Sequence, residues 1–197
     1  MAGTASPQDR EAIMRAAVRL GSRRGAPAVE DILRAAHVNR RIFYRHFASK
    51  DALLAALAAE AAEALGRGLA TAVERAVDGA AAARAWADHY LGVPEDEERA
   101  NAARPFLAPD PTAGEEVLDV VEAAHAQHRT LLEEALRRGR GDVSLPDVDP
   151  VPDAVTIHAV VLRHVEPALR GRGDIDLATV RDWVEELILR LGGVAGK

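Results

Sequence analysis

Arg40, Arg41, Tyr44 and Arg45 are the residues of this sequence whose types and spacing point to chemistry. At about 100° per residue on a helix they fall within one arc of roughly 140°, opposite Ile42, Phe43, His46 and Phe47. Such a helix packs on its own chain through the apolar side and offers the arginines to a partner. Guanidinium forks pair with guanine edges or neutralise phosphate, and a tyrosine hydroxyl bonds to phosphate, so the partner that fits is the major groove of double-stranded DNA. A few residues on, Ser49-Lys50-Asp51 opens a further helix whose free N–H groups and lysine ammonium can hold one more phosphate.

Other chemistries find less to work with. The chain has no cysteine, which removes disulfides, thiolate metal sites and a thiol nucleophile. It also lacks a glycine-rich phosphate loop, an H-E-x-x-H pair and a G-x-S-x-G elbow, so no catalytic residue is assigned and no enzyme or cofactor is expected. Glu122, His125 and His128 recur at spacings of three, and His89 could approach them. An exposed polar helix face accounts for that spacing better than a metal site. His158 and His164 are either pH-sensitive groups or hydrogen-bonded residues of an interface.

Aromatic residues are scarce, with three Phe, two Tyr and two Trp. Trp86, Tyr90 and Phe106 lie mid-chain, and with Val121 and His125 they are expected to line a pocket for a small, partly apolar effector. Ordinary core packing is the alternative for a Trp/Tyr pair four residues apart.

The elements that must position these groups read as helices. Val29, Ile32, Leu33 and Ala36 mark a short one, His37-Val38 a break, and Asn39 the N-cap of the basic helix, which together make a helix-turn-helix. Ala28 offers no capping oxygen, a loss of about 1 kcal/mol. Upstream, a frayed arm over residues 1 to 7 leads to a helix from Gln8 to Arg24, whose arginines face phosphate or merely solvent. Downstream, a long helix from Ser49 towards Val77 connects head to body. Further helices are expected from Ala80 to Val93, from Pro94 with its acidic Glu95–Glu98 run at the positive end of the dipole, and from Thr112 to Arg138. Gly139 to Pro152 reads as a loop that need not be ordered.

The last two helices, Asp153 to Leu169 and Leu177 to Leu191, carry regular apolar seams. Val155, His158, Leu162, Val165 and Leu169 recur at steps of three and four, as do Val180, Val184, Leu187 and Leu191. These seams are expected to form a homodimer interface, a four-helix bundle across a two-fold axis, because one basic helix reads too few base pairs alone. The alternative is that both face their own core. Pro167 should kink the first helix, and the tail from Gly192 should be disordered.

The run from Ile32 to Leu54 resembles the DNA-binding domain of the TetR family of transcriptional regulators. Tyr44-Arg45-His46-Phe47-Ala48-Ser49-Lys50 matches the family pattern Y-x-H-F-x-S-K in full. The resemblance implies an all-α homodimer, with a three-helix helix-turn-helix domain over residues 1–50 and a larger helical effector-binding and dimerisation domain over 51–197. It implies a repressor that leaves a palindromic operator when a small molecule binds. It assigns DNA contacts to Asn39, Arg40, Arg41, Tyr44, His46 and Lys50, to which the basic arc adds Arg45. His37 stands where the family usually has glycine, at a cost of about 1 kcal/mol if the residue is left-handed. An architectural DNA-binding protein without an effector is the rival reading.

Charge distribution agrees with a DNA-binding head. The net charge is −6, yet the first 50 residues hold ten basic side chains against four acidic ones, which leaves +6 there and −12 beyond. No signal-peptide core and no uninterrupted apolar run of 18 residues is present, so a soluble, cytoplasmic protein without membrane contact is expected.

Overall fold

The computed structural model describes residues 6–21 and 26–193, and among them every regular element is an α-helix. In order they are α1 (Pro7–Leu20), α2 (Val29–Ala36), α3 (Arg40–His46), α4 (Lys50–Glu74), α5 (Gly79–Leu91), α6 (Glu97–Leu107), α7 (Glu115–Gly141), α8 (Pro150–Leu169) and α9 (Leu177–Leu191). Of the arm expected over residues 1–7, residues 1–5 lie outside the described residues, as do residues 22–25 and the tail beyond Gly193, while Ser6 and Pro7 form the capped start of α1 rather than a frayed end.

Local side chains start most of these helices. Ser6 and Asp9 form a reciprocal capping box on α1, with bonds of 3.2 and 2.9 Å, while Asn39, Ser49, Asp78 and Asp96 cap α3 to α6. Asp96 corrects the expected start at Pro94, because its carboxylate accepts the N–H of Arg99 at 3.0 Å. Ala28 makes no side-chain cap on α2, as its methyl requires.

Two apolar clusters form. The head core joins Ile13, Met14, Ile32, Phe43, Phe47, Leu53 and Leu57; the body core holds Leu65, Leu69, Trp86, Tyr90, Phe106, Leu132, Leu136 and their neighbours. Helix α4 serves both, so the head's packing continues past residue 50. In the body, α5 and α7 cross backbone to backbone: a Cβ on Gly79 would lie 1.9 Å from the Gly139 nitrogen, a contact only glycine permits.

Two expectations about the C-terminal half are corrected. The segment between α7 and α8 is shorter than Gly139 to Pro152 and is tied down. Leu145 and Val148 are buried, Asp142 accepts the Gly79 N–H at 2.8 Å, and Ser144 accepts that of Ala80 at 3.0 Å. Leu145 is admitted by Gly192, where a Cβ would lie 2.4 Å from its Cδ2.

The seams of α8 and α9 face inward. His158, Val165, Leu169, Val180 and Val184 are buried within the single chain and have no surface left for a partner, while Leu162, Leu187 and Leu191 are half-buried against the same core. Of the residues expected at the interface, Val155 alone is open, at 49% exposure, and Val151 and Trp183 join it at 53% and 47%. Helix α8 ends two residues after Pro167, whose carbonyl accepts the N–H of Arg172 at 2.8 Å.

Candidate nucleic-acid interface

Helix α3 is held rigidly from behind. Phe43 and Phe47 are buried in the head core, and Asn39 Oδ1 accepts the Ile42 N–H at 3.0 Å, which fixes the helix start. The turn that sets its angle to α2 runs through His37 at φ 56° and ψ 36°, the left-handed conformation that glycine usually occupies. The Val38 N–H closes this turn on the Leu33 carbonyl at 3.1 Å.

On the open side, Asn39, Arg40, Arg41, Tyr44 and Arg45 are all exposed. Tyr44 stands edge-on to Phe43, with ring centres 5.2 Å apart, which aims the phenol outward from a fixed base. Arg40 is ion-paired with Glu30 of α2, so a phosphate must compete with a carboxylate for it. His46 does not share this face. It is half-buried beside Phe47, and its Nε2 is buried without a hydrogen-bond partner among the described residues. Lys50 is half-buried at the start of α4, where the Ser49 hydroxyl accepts the Ala52 N–H at 2.9 Å, and its charge helps lower the pKa of Asp110.

The arginines of α1 are mostly occupied by the protein itself. Arg10 lies over the Phe47 ring at 5.5 Å and pairs with Glu60 at 3.3 Å; Arg15 pairs with Glu11; Arg19 reaches the Ala35 carbonyl at 3.4 Å. The basic face is therefore concentrated on α3.

The expected effector pocket is a correction. Trp86, Tyr90 and Phe106 have no exposed surface, and they pack with three histidines into a solid cluster. Phe106 lies against His125, with ring centres 4.5 Å apart, and His125 in turn against His158 at 5.2 Å. Val121 is half-buried against the same core. Aromatic mass in a four-residue step went to packing because α7 and α8 close over it.

His128 is not part of an exposed polar face either. It is buried, takes the Tyr90 hydroxyl at Nδ1 (2.7 Å), and sits 3.0 Å through Nε2 from the Ala62 carbonyl of α4. With Tyr90 OH donating to Nδ1, the proton is on Nε2, so one neutral imidazole links α5, α7 and α4. Gly66 makes room for it, since a Cβ there would lie 2.8 Å from Nε2. No group of three or more potential metal ligands occurs among the described residues.

Burial holds His125 and His158 neutral, with pKa values lowered to about 3 and about 4, and neighbouring positive charge adds to the effect. His125 Nδ1 and His158 Nε2 are buried without partners among the described residues.

Open space lies elsewhere, in a groove of about 420 Å³ between α4, α5 and α6. Sequence reasoning missed this groove and the contacts of Asp110 with the head, because both depend on residues far apart in the chain. No helix among the described residues is long and apolar enough to cross a membrane.

Residues 13–57 match the family described as bacterial regulatory proteins, tetR family. No curated protein matches the chain. Among solved structures, the fold is shared with the transcriptional regulator FadR from Bacillus subtilis in complex with stearoyl-CoA, at a TM-score of 0.74 and 16% identity, covering 92% of this chain and 98% of that one. It is shared with AibR in complex with isovaleryl coenzyme A and operator DNA, at 0.67 and 20%, covering 90% and 96%. A TetR-family transcriptional regulator from Agrobacterium tumefaciens is similar at 0.71 and 20%, covering 94% and 98%.

Proposed function

We propose that this chain, whose residues 13–57 match the tetR family of bacterial regulatory proteins, is a dimeric, sequence-reading repressor relieved by a small molecule. The observation that carries the reading is the exposed face of Arg40, Arg41, Tyr44 and Arg45 on a helix whose opposite side is locked in the head core. Arg41 and Tyr44 reach base edges or the flanking backbone, Arg40 exchanges Glu30 for phosphate, and Lys50 with the N-terminus of α4 holds a phosphate at the groove edge.

Two such heads are needed, since one short helix covers a single half-site. The surface we assign to the second copy is the outer side of α8 and α9, where Val151, Val155 and Trp183 are exposed. Relief follows if an effector changes the separation of the two α3 helices, because half-site spacing is set by the pitch of DNA. Similar structures with coenzyme A thioesters support a small-molecule effector as the class of signal.

The test is selection of bound fragments from a randomised duplex pool by purified protein at moderate salt, with Tyr44→Ala as control. A palindrome enriched by the parent protein and lost with the variant is the expected result. Retention of all sequences alike, with affinity falling steeply in salt, would instead favour an architectural binder.

A further inference from the structure

The groove between α4, α5 and α6 is within the size range of small-molecule sites, at about 420 Å³. Its walls are apolar, supplied chiefly by Ala61 and Leu65 of α4, Val93 after α5, and Ala103 of α6. Gly68 shapes the α4 side: a Cβ there would lie 2.3 Å from Nε2 of His89, so only glycine lets that imidazole lie against the helix.

Charge in the groove is sparse and one-sided. Arg99 and Glu60 are its charged lining residues, and Glu60 is already paired with Arg10 at 3.3 Å. Arg99 donates to the His89 carbonyl at 3.2 Å and has no carboxylate within ion-pair distance among the described residues. An exposed guanidinium at the edge of an apolar slot suits a ligand with one anionic end and an apolar body.

We propose that this groove binds an amphipathic monocarboxylate the size of a medium-chain fatty acid, with its chain along Ala61, Leu65 and Ala103 and its carboxylate on Arg99. A coenzyme A thioester fits less well, because its several phosphates would meet a single cation. The proposal rests on the effector reading above and deepens it. The groove also takes in Val18 of α1 and Leu57 of the head core, so its occupant touches the head as well as the body.

The experiment is calorimetric titration of octanoate into the full-length protein without DNA, with octylamine and octanoyl-coenzyme A as comparison probes. Ala64→Trp and Ala102→Trp fill the groove from two exposed positions that the fold does not need, and Arg99→Gln removes the cation. Octanoate is expected to bind once per chain, at least tenfold more weakly in each variant, at least tenfold more tightly than octylamine, and no more weakly than the thioester. No binding at millimolar octanoate overturns the proposal, as does unchanged affinity in the variants, equal binding of octylamine, or tighter binding of the thioester. Because the titration contains no DNA, its failure is separable from failure of the operator selection.

Discussion

The Asp110 carboxylate, in the turn after α6, accepts the backbone N–H of Ala26 at 2.7 Å across 84 residues of sequence. Its other oxygen takes the hydroxyl and N–H of Thr112 at 2.6 and 2.9 Å. Those bonds, foremost the one from the Thr112 hydroxyl, lower its pKa to about 2, with help from the charge of Lys50. Arg170, after α8, fixes the same turn by donating to the Pro109 carbonyl at 2.6 Å. The segment entering α2 is thus tied directly to the body.

Asp110→Ala should lower the unfolding free energy at pH 7 by about 1 to 2 kcal/mol, the worth of hydrogen bonds to a charged group. Since the folded pKa is below the ordinary 3.8, that contribution is present above about pH 4 and lost as pH falls towards 2. Urea denaturation at pH 7 and pH 2.5 should show the gap between parent and variant closing at the lower value.

His125 and His158 work in the opposite part of the pH scale from catalytic histidines. Both folded pKa values lie below 6.5, so as pH falls the unfolded chain takes up protons first. Stability should be constant above about pH 7 and decline below 6.5, approaching about 1.4 kcal/mol per pH unit per histidine until pH reaches about 4. His158→Leu removes one of the two, and a slope between pH 6 and 4.5 as steep as the parent's would contradict the account.

Among the described residues, two other than glycine have positive φ, His37 at 56° and Val143 at 64°. His37→Gly and Val143→Gly should each raise stability, by about 1 kcal/mol in the more favourable case. Both side chains are exposed, so little packing is lost, and thermal denaturation of the double variant should show the increments adding.

Removing Glu30 should strengthen DNA binding. The Arg40–Glu30 pair is exposed and contributes little to folding, yet its carboxylate occupies the guanidinium that the proposed function gives to a phosphate. Glu30→Ala is expected to raise affinity for specific and random duplexes severalfold, as read by anisotropy at fixed salt. Arg41→Ala should act differently, narrowing the gap between specific and random DNA, whereas Lys50→Ala should weaken both alike.

Val155→Glu combined with Trp183→Glu places carboxylates on the face assigned to the second copy. Light scattering after gel filtration should give a dimer for the parent and a monomer for this variant, with unchanged helicity. A parent that is monomeric at micromolar concentration would remove the dimer from the proposed function.

Short-range chemistry was legible in the sequence, and packing partners were not. Asn39 and Ser49 cap their helices through bonds only three residues long, and the opposition of Phe43 to Tyr44 follows from helical pitch alone. The seam of Val165, Leu169, Val180 and Val184 was equally visible, but a three-and-four spacing marks a covered face without saying which chain covers it. Trp86 and Tyr90 pose the same ambiguity between pocket and core. It is resolved by His128 and His158, which arrive from distant helices and fill the space beside them.

Leu53 and Leu57 complete the head core from within α4, beyond all the residues that the proposed function assigns to DNA. Anyone transplanting this head onto a different body must therefore carry the chain through at least two turns of that helix. Cut at residue 50, the graft would keep every arginine of α3 and lose the floor on which Phe43 and Phe47 rest.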